Sequence, residues 1–174
     1  MKRFWISIFL AAGLVIFGGC KPPANTPTVA TPSDGPSIPT QAQPKLQTLK
    51  LWIGAQEMLT ELALTPLQEQ TGMMFRTNMA ENEGMLFIFS PATQASFWMK
   101  NTILPLSAAY ISPNGTILEI HDMQPQDTNA IVSVTDNIQF VLETKQGWFK
   151  RNHIEVGTVI NTERGSLNKV FFGR

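Results

Sequence analysis

Leu106-Ser-Ala-Ala-Tyr110-Ile-Ser-Pro-Asn-Gly115-Thr-Ile-Leu-Glu-Ile120-His-Asp-Met123 consists of two runs rich in apolar, aromatic and β-branched residues on either side of Asn114-Gly115. Such a dipeptide supplies the positive φ values of a tight hairpin turn, so residues 106–111 and 117–123 are predicted to pair as antiparallel strands. Similar short runs recur between turn signals at 49–53, 58–64, 85–89, 96–100, 138–143 and 156–160. That spacing predicts a mainly β domain, a jelly-roll-like β-sandwich or barrel. Two short helices interrupt the strands. Thr65-Pro66-Leu67-Gln68 offers an N-cap threonine, a proline at the first helical position and a glutamine three residues on, with Gly72 as the stop. The second helix is expected over 148–153, and beyond Ile160 only a last strand at 170–172 is suggested.

Outward toward the N-terminus the composition changes twice. Lys2 and Arg3 precede an apolar stretch, 4–17, whose only polar side chain is Ser7, and Gly18 and Gly19 lead into Cys20. A core of that length is shorter than the ~20 residues of a permanent span, and small residues before the cysteine admit a peptidase. Residues 1–19 are therefore expected to be a signal peptide. Phe17-Gly18-Gly19-Cys20 resembles the lipobox of bacterial lipoproteins, with Phe17 where that pattern usually has Leu. The resemblance implies a diacylglycerol on the thiol of Cys20, the chain's only cysteine. Each buried CH₂ contributes ~0.8 kcal/mol, so two or three acyl chains would hold the protein on a membrane of the cell envelope. Residues 21–47 then carry seven of the chain's twelve prolines among Thr, Ser, Ala and Gln. Such a stretch lacks the apolar surface to fold and is expected to be a disordered spacer, reaching roughly 80 Å if extended as polyproline II.

The remaining 127 residues, 48–174, have the size of one domain with one core. Without Lys2 and Arg3 the chain holds 11 basic residues against 13 acidic ones, and no basic cluster interleaves with aromatics. Nucleic acid is thus excluded as a partner on charge.

Several motifs then follow in order: Gly72-Met73-Met74-Phe75-Arg76, Asn82-Glu83-Gly84-Met85-Leu86-Phe87, Phe97-Trp98-Met99-Lys100-Asn101-Thr102, Pro105-Leu106, Val141-Leu142-Glu143 and Gly147-Trp148. This series, within residues 65–160, closely resembles the bacterial and archaeal family known as domain of unknown function 192. The resemblance implies a compact, mainly β domain, often exported or lipid-anchored, with no agreed biochemical activity. Between Pro125 and Asp136 the sequence departs from the more proline- and serine-rich loop expected of the family.

The polar and aromatic residues inside those motifs, Arg76, Trp98, Lys100, Asn101 and Glu143, form the candidate binding patch. A carboxylate could move protons, while cations and an amide could hold an anion or oxyanion. Such groups are more often structural ion pairs, and Arg76 could instead cap the first helix or pair with Glu83. No serine sits in a Gly-x-Ser-x-Gly elbow, and the only cysteine is in the lipobox, which disfavours a covalent nucleophile. With only His121 and His153, and no C-x-x-C, zinc is disfavoured as well. Met58, Met73, Met74, Met79, Met85, Met99 and Met123 are soft donors for Cu(I), but methionine more often fills core gaps. Neither metal nor cofactor is expected. Phe97 and Trp98 should point to opposite faces of a regular strand, leaving one outward. The expected function is a membrane-tethered β domain binding a small molecule, an envelope glycan or a protein partner. An enzyme acting on envelope material through the Arg/Lys/Glu patch and a structural accessory subunit are the alternatives.

Overall fold

Leu49, Leu51 and Ile53 alternate with Lys50 and Trp52 along the first strand, β1 (Thr48–Ile53), and the alternation sorts them: the aliphatics are buried and Trp52 is exposed. In the computed structural model, which describes residues 38–173, a two-residue turn at Gly54-Ala55 returns the chain as β2 (Gln56–Ala63), antiparallel to β1. The order continues with α1 (Pro66–Thr71), β3 (Glu83–Thr93), β4 (Ser96–Phe97), β5 (Leu106–Ile111), β6 (Ile117–Met123), β7 (Ile131–Val132) and β8 (Ile138–Lys145). It ends with α2 (Trp148–Arg151), β9 (Ile160–Thr162), β10 (Gly165–Ser166) and α3 (Leu167–Phe172). The expected signal peptide, Cys20 and the expected tether as far as residue 37 lie outside the described residues.

The protein is mainly β, and its architecture is one eight-stranded mixed sheet, ordered β10-β9-β1-β2-β3-β8-β5-β6, with β4 and β7 paired in a small second sheet. The mainly β domain that the strand spacing suggested is present, with two sheets and no closed barrel. One pairing, β2 with β3, is parallel, and α1 belongs to the crossover that a parallel pair requires. The central strands are covered on both faces, so all six residues of β5 and seven of the eight in β8 are buried. Leu51, Ile53, Leu86, Ala109, Phe140, Leu142 and Trp148 build a core on one face, while Met85, Phe87, Ala108, Tyr110 and Val141 build another on the opposite face. An isolated bridge, Thr116 to Val159, ties the start of β6 back toward β9.

Local chemistry explains where the elements begin and end. The α1 capping box is complete: Thr65 Oγ1 accepts from the Gln68 amide at 3.3 Å, and Gln68 Oε1 accepts from the Thr65 amide at 3.1 Å. Gly72 closes the helix with φ 46°, its N–H donating to Gln68 O. In the β5–β6 hairpin only Gly115 takes a positive φ, 85°. Asn114 contributes its side chain instead, Oδ1 accepting from the Thr116 amide and from the Ser112 hydroxyl. With Pro113 after Ser112 and Gly115 N–H donating to Ser112 O at 2.9 Å, this is the sequence signature of a type I turn.

Several boundaries differ from the sequence reading, and four of the differences change how the chain runs. The strand expected at 96–100 stops at Phe97, because the Met99 amide donates to Asp127 O and Asn101 turns the chain with φ 56°. The strand expected at 156–160 is displaced to Ile160–Thr162, where it pairs with β1. In place of a strand at 170–172 there is a third helix, capped by Ser166, which lays Phe171 and Phe172 against Phe140. The spacer expected through residue 47 ends earlier. Gln43 Nε2 donates to the carbonyls of Gln68 and Gly72, the Leu46 amide to Glu61 Oε2, and the Leu62 amide to Gln47 O, so these residues are docked on α1 and β2.

Candidate functional site

The candidate residues separate into a pocket and the frame that holds it. Arg76 follows α1 in a loop and meets Glu61 on β2, not Glu83 or Glu143. Its guanidinium grips that carboxylate with both terminal nitrogens, Nη1 to Oε1 at 3.1 Å and Nη2 to Oε2 at 2.8 Å, and both residues are buried. Nη2 also donates to Pro44 O, and Lys45 Nζ lies 3.2 Å from Glu61 Oε1. Burial works to raise the Glu61 carboxyl, but the bonds from Arg76, the Leu46 amide and Lys45 outweigh it and hold the group below its ordinary value. This bidentate pair fastens the 43–47 segment and the loop after α1 to the sheet.

Phe97-Trp98-Met99-Lys100-Asn101-Thr102 is a turn as well as a strand end. Phe97 is half-buried, its ring edge-on to Phe87 at 4.9 Å between centroids, whereas Trp98 is 45 % exposed. Lys100 Nζ sits 5.2 Å from the centre of the Trp98 ring, a cation–π contact on an open surface. Asn101 adopts left-handed backbone, and its carbonyl accepts from the Phe75 amide at 2.8 Å, linking this turn to the Arg76 loop. The Thr102 carbonyl accepts from the Gln126 amide at 2.9 Å. Asn101 and Arg76 thus stabilise neighbouring loops, while Trp98 with Lys100 forms a rim.

Glu143 stands in the middle of β8, opposite Met85 of β3 on one side and Ala108 of β5 on the other, both fully buried. It shares the face of Val141, Met85 and Tyr110. Its side chain is 4 % exposed, and Oε2 has no hydrogen-bond partner. Burial alone pushes its carboxyl up to about 8; burial also raises the Tyr110 phenol, with smaller contributions from the charges of Glu119 and Glu143.

Above Glu143 lies a cavity of about 380 Å³, bounded by Glu69 and residues 70–74 at the C-terminal end of α1 and by Phe87, Phe89, Phe97 and Trp98 from β3 and the β4 segment. Thr71, Gly72, Met73 and Met74 are themselves buried. Two members of the candidate patch, Trp98 and Glu143, border this cavity. Glu61, Glu69 and Phe89 have no signal in the sequence reading. Met73 and Phe87 lie in the motifs Gly72-Met73-Met74-Phe75-Arg76 and Asn82-Glu83-Gly84-Met85-Leu86-Phe87, which do not by themselves disclose a cavity wall. Among the described residues no group of three His, Cys, Asp or Glu is arranged to hold a metal ion.

The arrangement offers an apolar, aromatic recess with a proton-bearing or anionic group at its base. Residues 50–162 match the family DUF192, described as "Uncharacterized ACR". No curated protein sequence matches the chain. A candidate transcription regulator from Sinorhizobium meliloti 1021 is similar in structure, with a TM-score of 0.66 and 31 % identity over 70 % of this chain and 98 % of that one. A protein of unknown function from Novosphingobium aromaticivorans superposes with a TM-score of 0.63 and 28 % identity, over 67 % of this chain and 86 % of its own.

Proposed function

The chain belongs to the DUF192 family, whose description assigns no activity, and on that premise we propose that it is a binding module of the cell envelope, anchored by lipid on Cys20 and taking a small ligand into the recess above Glu143. One observation carries the reading: a carboxyl oxygen at the centre of the sheet, buried without a hydrogen-bond partner, on a side chain that borders a cavity. An unpartnered buried acceptor costs on the order of 1–3 kcal/mol, and a polar group kept at that cost beside a cavity is a mark of a site. The cavity volume of about 380 Å³ is in the range of small-molecule pockets. The regulator name attached to the Sinorhizobium protein is not carried over, because DNA binding draws on phosphate neutralisation. Residues 38–173 hold nine Lys and Arg against twelve Asp and Glu.

The test is a thermal-shift screen of the full-length chain against sugars, peptidoglycan fragments, amines and carboxylic acids, run beside a Ser96→Trp variant. Ser96 is exposed and borders the cavity, so an indole there fills the entrance without entering the core. A compound that binds the folded state raises the midpoint. The expected result is a compound that raises it in the wild type and not in Ser96→Trp. Stabilisation that is identical in the two proteins would move the site elsewhere.

A further inference from the structure

One face of the sheet buries two carboxylates on either side of Met85: Glu61 is its partner on β2 and Glu143 its partner on β8. Two strand spacings, roughly 10 Å, separate them. The chain solves the first burial itself. Glu61 receives both nitrogens of Arg76, the Leu46 amide and Lys45. No equivalent reaches Glu143, whose Oε2 is unpartnered. The cavity beside it adds a second carboxyl, Glu69, and the rings of Phe87, Phe89, Phe97 and Trp98, while no Lys, Arg or His borders it.

Resting on the reading of this cavity as the ligand site, we propose that its ligand is an organic cation, an ammonium or guanidinium group on an apolar body, whose charge serves Glu143 as Arg76 serves Glu61. The chemistry of the walls selects for it. Aromatic faces carry negative quadrupole and attract a cation set over them, and the same rings bury the apolar body. A carboxylate accepts hydrogen bonds only, which an ammonium or guanidinium can supply, and a charge-assisted bond in a desolvated site is stronger than a neutral one. No Lys, Arg or His lines the cavity to receive an anion, and the Glu69 carboxylate disfavours one. The proton that Glu143 carries in the free protein passes to solvent as the cation enters.

Calorimetric titration of the full-length chain with three probes of one size tests this: benzylammonium, benzyl alcohol and benzoate. Benzylammonium is expected to bind at least about tenfold more tightly than benzyl alcohol, and benzoate more weakly still, a margin of one charge-assisted contact. Glu143→Gln keeps the shape of the side chain and removes its charge. It is expected to erase the preference for benzylammonium while leaving benzyl alcohol within about twofold. Glu69→Gln, at the half-exposed wall, should weaken benzylammonium by about two- to threefold. Equal binding of the alcohol, or a preference that survives Glu143→Gln, overturns the cation assignment and leaves a ligand site of another chemistry. Binding by none of the three also overturns it, whereas the ligand-site reading itself falls only if Ser96→Trp is indistinguishable from wild type across the wider screen.

Discussion

Glu61 and Glu143 are the same side chain on the same sheet face, and their surroundings drive them apart. Arg76 and its companions favour the ionised form of Glu61, while burial favours the protonated form of Glu143, up to about 8. An acid raised on folding lets the unfolded chain release its proton first. The unfolded state therefore binds fewer protons than the native one between the ordinary carboxyl range and pH 8, and stability falls as pH rises through that window. The slope is about 1.4 kcal/mol per pH unit, which amounts to roughly 3 kcal/mol between pH 4.5 and 7. Glu143→Gln should remove this loss, so urea unfolding of the two proteins is expected to give curves that coincide near pH 4.5 and diverge in favour of the variant by pH 7. Parallel curves over that range would show that Glu143 is ionised in the native state. At Glu61 the opposite holds: Arg76→Met strands a buried carboxylate and should cost about 3–5 kcal/mol in the same assay. A cost below about 1 kcal/mol would mean that the pair is open to water.

At the level of elements, the signals that the sequence displayed were those with local causes. Thr65, Pro66, Gln68 and Gly72 define α1 within eight residues, and the turn between β5 and β6 is closed by bonds among Ser112, Asn114, Gly115 and Thr116. What stayed hidden depends on register between distant strands. Nothing near Arg76 in sequence announces Glu61, which becomes its partner through the parallel pairing of β2 with β3 and the docking of residues 43–47. Likewise α3 is short, and its Phe171 and Phe172 read equally well as a strand until Phe140 is there to receive them. The Phe-Trp-Met-Lys-Asn-Thr motif mixes both kinds. Its Trp98 faces the cavity, but Asn101 is held for its backbone, at φ 56°. Asn and Gly tolerate that conformation and β-branched residues do not. Asn101→Gly is therefore expected to change stability by less than about 0.5 kcal/mol, and Asn101→Val to cost about 1–3 kcal/mol, measured by urea unfolding. Benzylammonium affinity unchanged in Asn101→Gly would place Asn101 in the frame, and a loss of about tenfold would return it to the binding patch.

For the whole molecule, the family match covers residues 50–162 and leaves the first 49 residues to chemistry of their own. Among the described residues no helix is long and apolar enough to cross a membrane. The membrane attachment proposed here depends on one thiol. A single acyl chain binds a bilayer only marginally, whereas two or three chains at ~0.8 kcal/mol per buried CH₂ make attachment effectively permanent, so under this proposal lipidation of Cys20 would decide where the protein resides. Cys20→Ser removes the acceptor sulfur, and processing that waits for the lipid should then leave the precursor uncut. Fractionation alone would mislead, because an uncut precursor keeps the apolar stretch 4–17 and can remain with membranes through it. The informative readouts are radiolabelled palmitate and mobility on a denaturing gel. Wild type should be labelled and shortened by the 19 residues that precede Cys20, and Cys20→Ser unlabelled and full length. Label on Cys20→Ser would move the lipid to another residue, and a wild type that carries none would remove the lipid anchor altogether; either result overturns attachment through Cys20.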